Sequence, residues 1–199
     1  MSETRPLRTA IIIGSTREGR FGLTVAGWFT GRAAHRADLD LDVVDLAETR
    51  LPDTLGATDG AGGAEPAAVR ALAPRLAAAD AFVIVTPEYN HSFPAPLKTA
   101  IDWYVDEWRA KPVGFVSYGG TSGGLHAVEQ LRPVFAELQA VTIRETVSFH
   151  SCWARFDERG RPVDAEGAAA AADGLLDQLT WWARALRAAR IGLPQPQAA

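Results

Sequence analysis

The sequence predicts a three-layer α/β protein. Five parallel strands run in the order 2-1-3-4-5, and helices cover both faces of the sheet. Two observations carry this. First, five apolar runs alternate with stretches of helical spacing; strands buried on both faces read as near-continuous apolar runs. Second, polar or glycine-rich loops follow the first, third and fourth runs. In that strand order, the carboxyl ends of these three strands flank the ligand crevice.

The elements follow in order. Residues 9–13, with the β-branched run Ile11-Ile12-Ile13, read as the first buried strand. Residues 23–36 read as a helix with Val25, Ala26, Phe29 and Ala33 facing inward. Residues 39–46 alternate Leu39, Leu41 and Val43 with Asp38, Asp40 and Asp42, which suggests an edge strand with one wetter face. Residues 51–63 hold Pro, Asp, Thr and four glycines and read as a long loop of the kind that acts as a lid.

Residues 66–79 read as a helix, with Pro66 in the tolerated first turn and Pro74 expected to kink or restart it. Residues 81–86 form the third strand, and Pro87 to Ser92 form a polar loop closed by Pro94 and Pro96. Residues 97–108 read as an aromatic-rich helix and 113–118 as a fourth strand. Four glycines in residues 119–124 lead into a helix over 125–138, and 141–149 is a fifth strand. A last helix over 168–190 is stopped by Gly192, Pro194 and Pro196. The whole chain, residues 1–199, reads as one domain with its core in 8–190 and a flexible tail over 191–199.

Composition narrows the function. A hydrophobic share of 47% in 199 residues supports a full core. A net charge of −4 without a basic patch argues against nucleic acid as partner. Charged residues, Gly or Pro interrupt every apolar run before membrane-spanning length. The polar start without an apolar leader segment reads as cytoplasmic. One cysteine, Cys152, excludes an internal disulfide, and nothing near it signals an activated thiol.

The first loop, Gly14-Ser15-Thr16-Arg17-Glu18-Gly19-Arg20-Phe21-Gly22, joins a strand to a helix. Such a junction aims backbone N–H groups and a helix dipole at an anion. Ser15 and Thr16 after Gly14 break the dinucleotide-binding pattern of three spaced glycines. Arg20 and Phe21 stand where a nucleotide-hydrolysing loop needs Lys and Ser or Thr. A terminal monophosphate held without metal remains, with hydroxyls from Ser15 and Thr16 and charge from Arg17. Pro87, Glu88, Tyr89 and Asn90 offer flat apolar surface, backbone groups and an amide, a mixture that suits a planar heterocycle. Ser117, Tyr118, Gly119 and Gly120 offer open backbone across the crevice.

These three motifs, with Pro96-Leu97-Lys98-Thr99-Ala100-Ile101-Asp102 after the second, resemble the NAD(P)H-dependent FMN reductase family, in the right order from about Arg8 to Phe149. The resemblance implies a flavodoxin-like fold and non-covalent FMN, with NAD(P)H as co-substrate. It implies Ser15, Arg17 and Gly22 at the phosphate, with Thr16, Arg20 and Phe21 among the cofactor-binding residues. It places Pro87, Glu88, Tyr89 and Asn90 along the isoalloxazine. Ser117, Tyr118, Gly119 and Gly120 fall at its other edge or the ribityl chain. Arg20 and Gly22 depart from the Ser and Asn that many members carry. The implied activity passes hydride from NAD(P)H to FMN and then electrons to a quinone, azo compound or free flavin. Alternatives are a flavodoxin-like electron carrier and a flavin-binding protein without turnover. No side chain is assigned a catalytic role. Arg50 is a candidate for meeting a 2′-phosphate.

His35, His91, His126 and His150 lack metal-ligand spacing, so no metal is expected; His91 lies in the ring loop within reach of a substrate. Leu175, Leu179, Trp182 and Leu186 form one helical stripe and read as core. Trp103, Tyr104 and Trp108 crowd one short helix and suggest an interface. In the resembling family this helix builds a homodimer, so a homodimer or homotetramer is expected.

Overall fold

The computed structural model describes residues 5–56 and 66–192. Five parallel strands form its sheet: β1 (Leu7–Ile13), β2 (Leu39–Asp45), β3 (Ala81–Pro87), β4 (Pro112–Tyr118) and β5 (Val141–Phe149). Their order is β2-β1-β3-β4-β5, as expected. The helices are α1 (Gly22–Ala33), α2 (Leu46–Thr49), α3 (Ala67–Ala78), α4 (Ala95–Trp103), α5 (Leu125–Glu137) and α6 (Ala165–Gly192).

Successive strand residues point to opposite faces, and β1 divides its side chains accordingly. Leu7, Ile11 and Ile13 join Val25 and Phe29 of α1 and Leu175 and Leu179 of α6 in one core layer. Ala10 and Ile12 join Leu72 and Leu76 of α3, Leu97 and Ile101 of α4, and Leu131 and Phe135 of α5 in the other. Strand β3 is buried along its whole length. The edge strand β2 buries only Val44.

Several expectations need correction. Helix α4 stops at Trp103, five residues short of the expected end. Helix α3 runs through Pro74 without a break, with Leu72 and Leu76 buried on either side of it. The aromatic argument for an interface fails for two of its three residues. Tyr104 and Trp108 are buried within this chain. The Tyr104 hydroxyl donates to the Val69 carbonyl at 3.1 Å, and the Trp108 ring packs on Phe82 at 4.5 Å between centroids. Aromatic side chains of this size fill core volume as readily as they fill an interface. Trp103 is half-buried, and its indole N–H donates to the Pro52 carbonyl at 2.9 Å. The expected loop over 51–63 is described only to residue 56, so the lid expectation lies largely outside the described residues, as do residues 193–199 of the tail.

At the sheet's amino end, one carboxylate gathers several cations. Asp80 has a side chain only 4% exposed and pairs with Arg5, Arg187 and Arg190. It also accepts the Arg8 backbone N–H at 3.1 Å. Strand entry, chain start and the end of α6 therefore meet at one point.

Candidate functional site

The register brings the three loops together. Ile13 pairs with Val85, Pro87 with Tyr118, and Tyr118 with Phe149. Strands β1, β3 and β4 thus end side by side, and the loops that follow share one edge of the sheet. The Ser15 and Tyr89 hydroxyls lie 2.7 Å apart, which ties the first loop to the second. The Glu88 N–H donates to the Tyr118 carbonyl at 3.1 Å, which ties the second to the third.

The first loop carries unspent donors. Among the described residues, the N–H groups of Thr16, Glu18 and Gly19 donate to no protein acceptor. Helix α1 begins at Gly22 with no side-chain cap and no acidic residue in its first turn. Arg17 is exposed, with no ion pair among the described residues. Ser15 is fully buried, and its Oγ accepts the Arg17 N–H at 3.4 Å. Free amides, an uncapped helix start and an unpaired guanidinium form the donor set that a phosphate dianion needs.

Arg20 plays a different part from Arg17. Its guanidinium pairs with Asp45 at 2.5 Å, both side chains being largely buried. Asp45 also caps α2 by accepting the Ala47 N–H at 3.0 Å. The Arg20 Nε is buried and has no protein partner among the described residues. This donor could meet an anion bound at the first loop. Thr16 and Arg50 line a neighbouring cavity of about 300 Å³ with Leu46, Leu51 and Pro96.

Phe21, Gly22 and Tyr118 are joined by packing. Phe21 sits 5.4 Å from Phe156 and 6.2 Å from Tyr118 between ring centroids. A Cβ at Gly22 would stand 2.5 Å from the Tyr118 hydroxyl, so glycine there makes room for the tyrosine. Burial holds the Tyr118 hydroxyl well above its ordinary pKa, with the nearby Tyr89 and Cys152 adding to the effect. Tyr118 is 4% exposed, so at this edge the third loop presents backbone. Nothing lies within 4 Å of a Cβ built at Gly120, which leaves that backbone open to approach.

In the second loop, Pro87 is buried, Tyr89 half-buried and Asn90 exposed. Asn90 and His91 both adopt left-handed backbone, with φ of 51° and 68°. Glu88 turns inward. Its Oε2 accepts the Ser122 hydroxyl at 2.6 Å and the His126 N–H at 3.2 Å, and its Oε1 lies 3.0 Å from His126 Nδ1. Burial alone would raise the Glu88 pKa, but the hydrogen bonds from Ser122 and His126 outweigh it and hold the carboxylate below its usual range. The His126 ring stacks on His91 with centroids 3.7 Å apart. Glu88, His91 and His126 therefore form one cluster. Sequence spacing misses it because His91, in the loop after β3, meets His126, in the first turn of α5, only through the fold.

Cys152 is 1% exposed, burial raises its thiol pKa, and its N–H supports the Gly119 carbonyl at 3.0 Å. It opens a segment no sequence signal indicates: a 3-10 turn at Cys152–Ala154 and a bridge between Phe156 and Pro162. That segment brings Phe156 under the first loop.

Comparisons with known proteins place the chain among relatives. A family model described as NADPH-dependent FMN reductase matches residues 7–154. An NAD(P)H-dependent FMN reductase of Schizosaccharomyces pombe is 38% identical over 117 residues, 57% of this chain and 58% of that protein. The match thus spans little more than half of the yeast relative. An NADPH:quinone oxidoreductase of Arabidopsis thaliana is 32% identical over 166 residues, 79% of this chain and 83% of that protein. Among solved structures, the flavoenzyme NAD(P)H:(acceptor) oxidoreductase FerB of Paracoccus denitrificans superposes with a TM-score of 0.69 at 22% identity, covering 89% of this chain and 98% of that one. At that identity, the likeness is one of fold.

Proposed function

The chain belongs to the NADPH-dependent FMN reductase family, and on that premise we propose that the three-loop edge holds FMN and uses it to oxidise NAD(P)H at the expense of a small acceptor. The observation that carries this reading is the first loop. It combines free amides, an uncapped helix start, an unpaired Arg17 and the orphaned Nε of Arg20. That set fits a phosphate monoester.

Each residue group has a part in this reading. Ser15, Thr16, Arg17 and the loop amides bind the phosphate. Arg20, paired with Asp45, keeps the loop in place and offers its Nε inward. Phe21 and Gly22 seat Tyr118 beneath the loop. Pro87, Tyr89 and Asn90 line the ring, with Glu88 fixing their loop from behind. Ser117, Gly119 and Gly120 bring backbone to the far edge. The chemistry that FMN supplies when bound is two-electron transfer, with hydride taken from NAD(P)H and electrons passed on to a quinone, azo compound or free flavin. The chain binds, orients and excludes water; no side chain acts as acid, base or nucleophile.

The same proposal includes a homodimer or homotetramer acting in the cytoplasm. Leu55 and Val105 are 45% and 54% exposed, and Trp103 lies 3.9 Å from a Cβ built at Gly56. The exposed Leu55 and Val105 side chains support an apolar surface open to a second copy of the chain. Light scattering after gel filtration tests it, and a monomer alone would refute it.

The test of function is the visible spectrum of the purified protein, before and after anaerobic NADPH. Bound FMN that bleaches without a partner protein is expected. A protein that takes up no added FMN would overturn the reading. A yellow protein that fails to bleach would be a carrier or a passive flavin binder.

A further inference from the structure

The cluster behind the ring loop carries an inference that does not rest on flavin binding. We propose that Glu88, His91 and His126 form a binding site for one divalent cation of the zinc class. One ligand atom from each residue lies within 4.8 Å of the other two. Two imidazoles and a carboxylate match the ligand types that zinc selects, at metal–ligand distances of about 2.0–2.2 Å. Three protein ligands leave a fourth position open to water or another small ligand.

The surrounding structure holds the ligands in place. The Ser122 hydroxyl and the His126 N–H both donate to Glu88 Oε2, so Oε1 is held toward the His126 ring. Gln130 Nε2 donates to the His91 carbonyl at 2.6 Å, and the Ser92 hydroxyl donates to Gln130 Oε1 at 2.6 Å. The bridge between Tyr89 and Ser92 closes the loop. Fixed outer partners of this kind orient metal ligands. His91 accepts and donates no side-chain hydrogen bond among the described residues.

One adjustment is required. The His91 and His126 rings are stacked at an interplanar angle of 20°, and a metal lies in the plane of each imidazole it binds. His91 must turn its ring out of the stack. It is exposed, so the turn displaces no core side chain. The ion takes the place of the proton between His126 Nδ1 and Glu88 Oε1.

The experiment is zinc titration, by calorimetry, of the chelator-washed full-length protein. We expect one saturable Zn²⁺ per chain. Glu88→Gln, His91→Ala and His126→Ala should each weaken it by about 10-fold or more, since even outer-sphere partners change metal affinity about 10–100-fold. His91→Ala alters an exposed side chain and keeps the test valid if either other variant misfolds. Crystals grown with zinc should place an anomalous peak between the three side chains. No saturable uptake would overturn the proposal, as would equal affinity in the parent and His91→Ala.

Discussion

The Ser15 and Tyr89 hydroxyls, 2.7 Å apart, join the loop after β1 to the loop after β3. This contact couples the phosphate end of the proposed site to its ring end. Tyr89→Phe removes one neutral hydrogen bond, so FMN should dissociate about 2- to 12-fold more readily, from the ~0.5–1.5 kcal/mol such a bond contributes. Quenching of flavin fluorescence measures this. Unchanged affinity would uncouple the two loops.

The two arginines of the first loop should separate binding from stability. The exposed Arg17 guanidinium makes no ion pair among the described residues, so Arg17→Ala should leave stability within about 0.5 kcal/mol. It should weaken FMN by ~1.5–3 kcal/mol through the lost charge-assisted contact. Arg20→Ala breaks the pair with Asp45 and should lower stability by about 1.5–3 kcal/mol. Urea unfolding and FMN titration of both variants read the contrast. Equal stability losses would show that the loop does not divide the roles this way.

Gly22 and Tyr118 should rescue one another. A Cβ at Gly22 meets the Tyr118 hydroxyl at 2.5 Å, so Gly22→Ala should destabilise by about 1–3 kcal/mol, the usual range for overpacking. Removing that hydroxyl in Gly22→Ala/Tyr118→Phe should recover part of the loss. Unfolding midpoints in urea test this; no recovery would place the strain elsewhere.

Arg50 shares its cavity with Thr16 of the first loop, where it could meet the 2′-phosphate of NADPH. Arg50→Ala should raise KM for NADPH about tenfold or more through a lost charge-assisted contact. KM for NADH, which lacks the 2′-phosphate, should hold. Equal changes for both nucleotides would exclude Arg50 from discriminating between them.

Lys111 should make stability depend on alkaline pH. Burial, followed by the nearby Arg190, lowers its pKa to about 8, with Asp80 and Glu107 opposing. An unfolded lysine titrates at about 10.4. Between those values the unfolded chain holds more protons, so this residue's contribution to stability rises with pH. Below the folded value both states are protonated and the contribution is level. The stability difference between the parent and Lys111→Met should therefore shift in the parent's favour across that window. A flat difference would remove Lys111 as the source.

Strand order and the meeting of three loops were legible because β-branched runs and glycine loops are local signals. Strands β1 and β3 are buried on both faces and show it in composition alone. Partner choice was not legible. Arg20 meets Asp45 because Ile13 and Asp45 share a register across β1 and β2, a relation no local pattern records. Tyr104 and Trp108 read as surface because their number was visible and their direction was not. Glu88 and His126 are brought together by tertiary contact, as are His91 and His126.

The gathering of arginines at Asp80 has an uneven consequence for tolerance to change. Arg5, Arg187 and Arg190 supply three cations to a single acid. Replacing any one of them leaves Asp80 with two cations, although Arg190 also donates to the Ala110 carbonyl at 2.6 Å. Asp80 has no substitute. Its loss would strand the Arg187 and Arg190 side chains, each only 14% exposed, without a counter-charge. A random-substitution library should thus accept replacements at the exposed Arg5 far more often than at position 80.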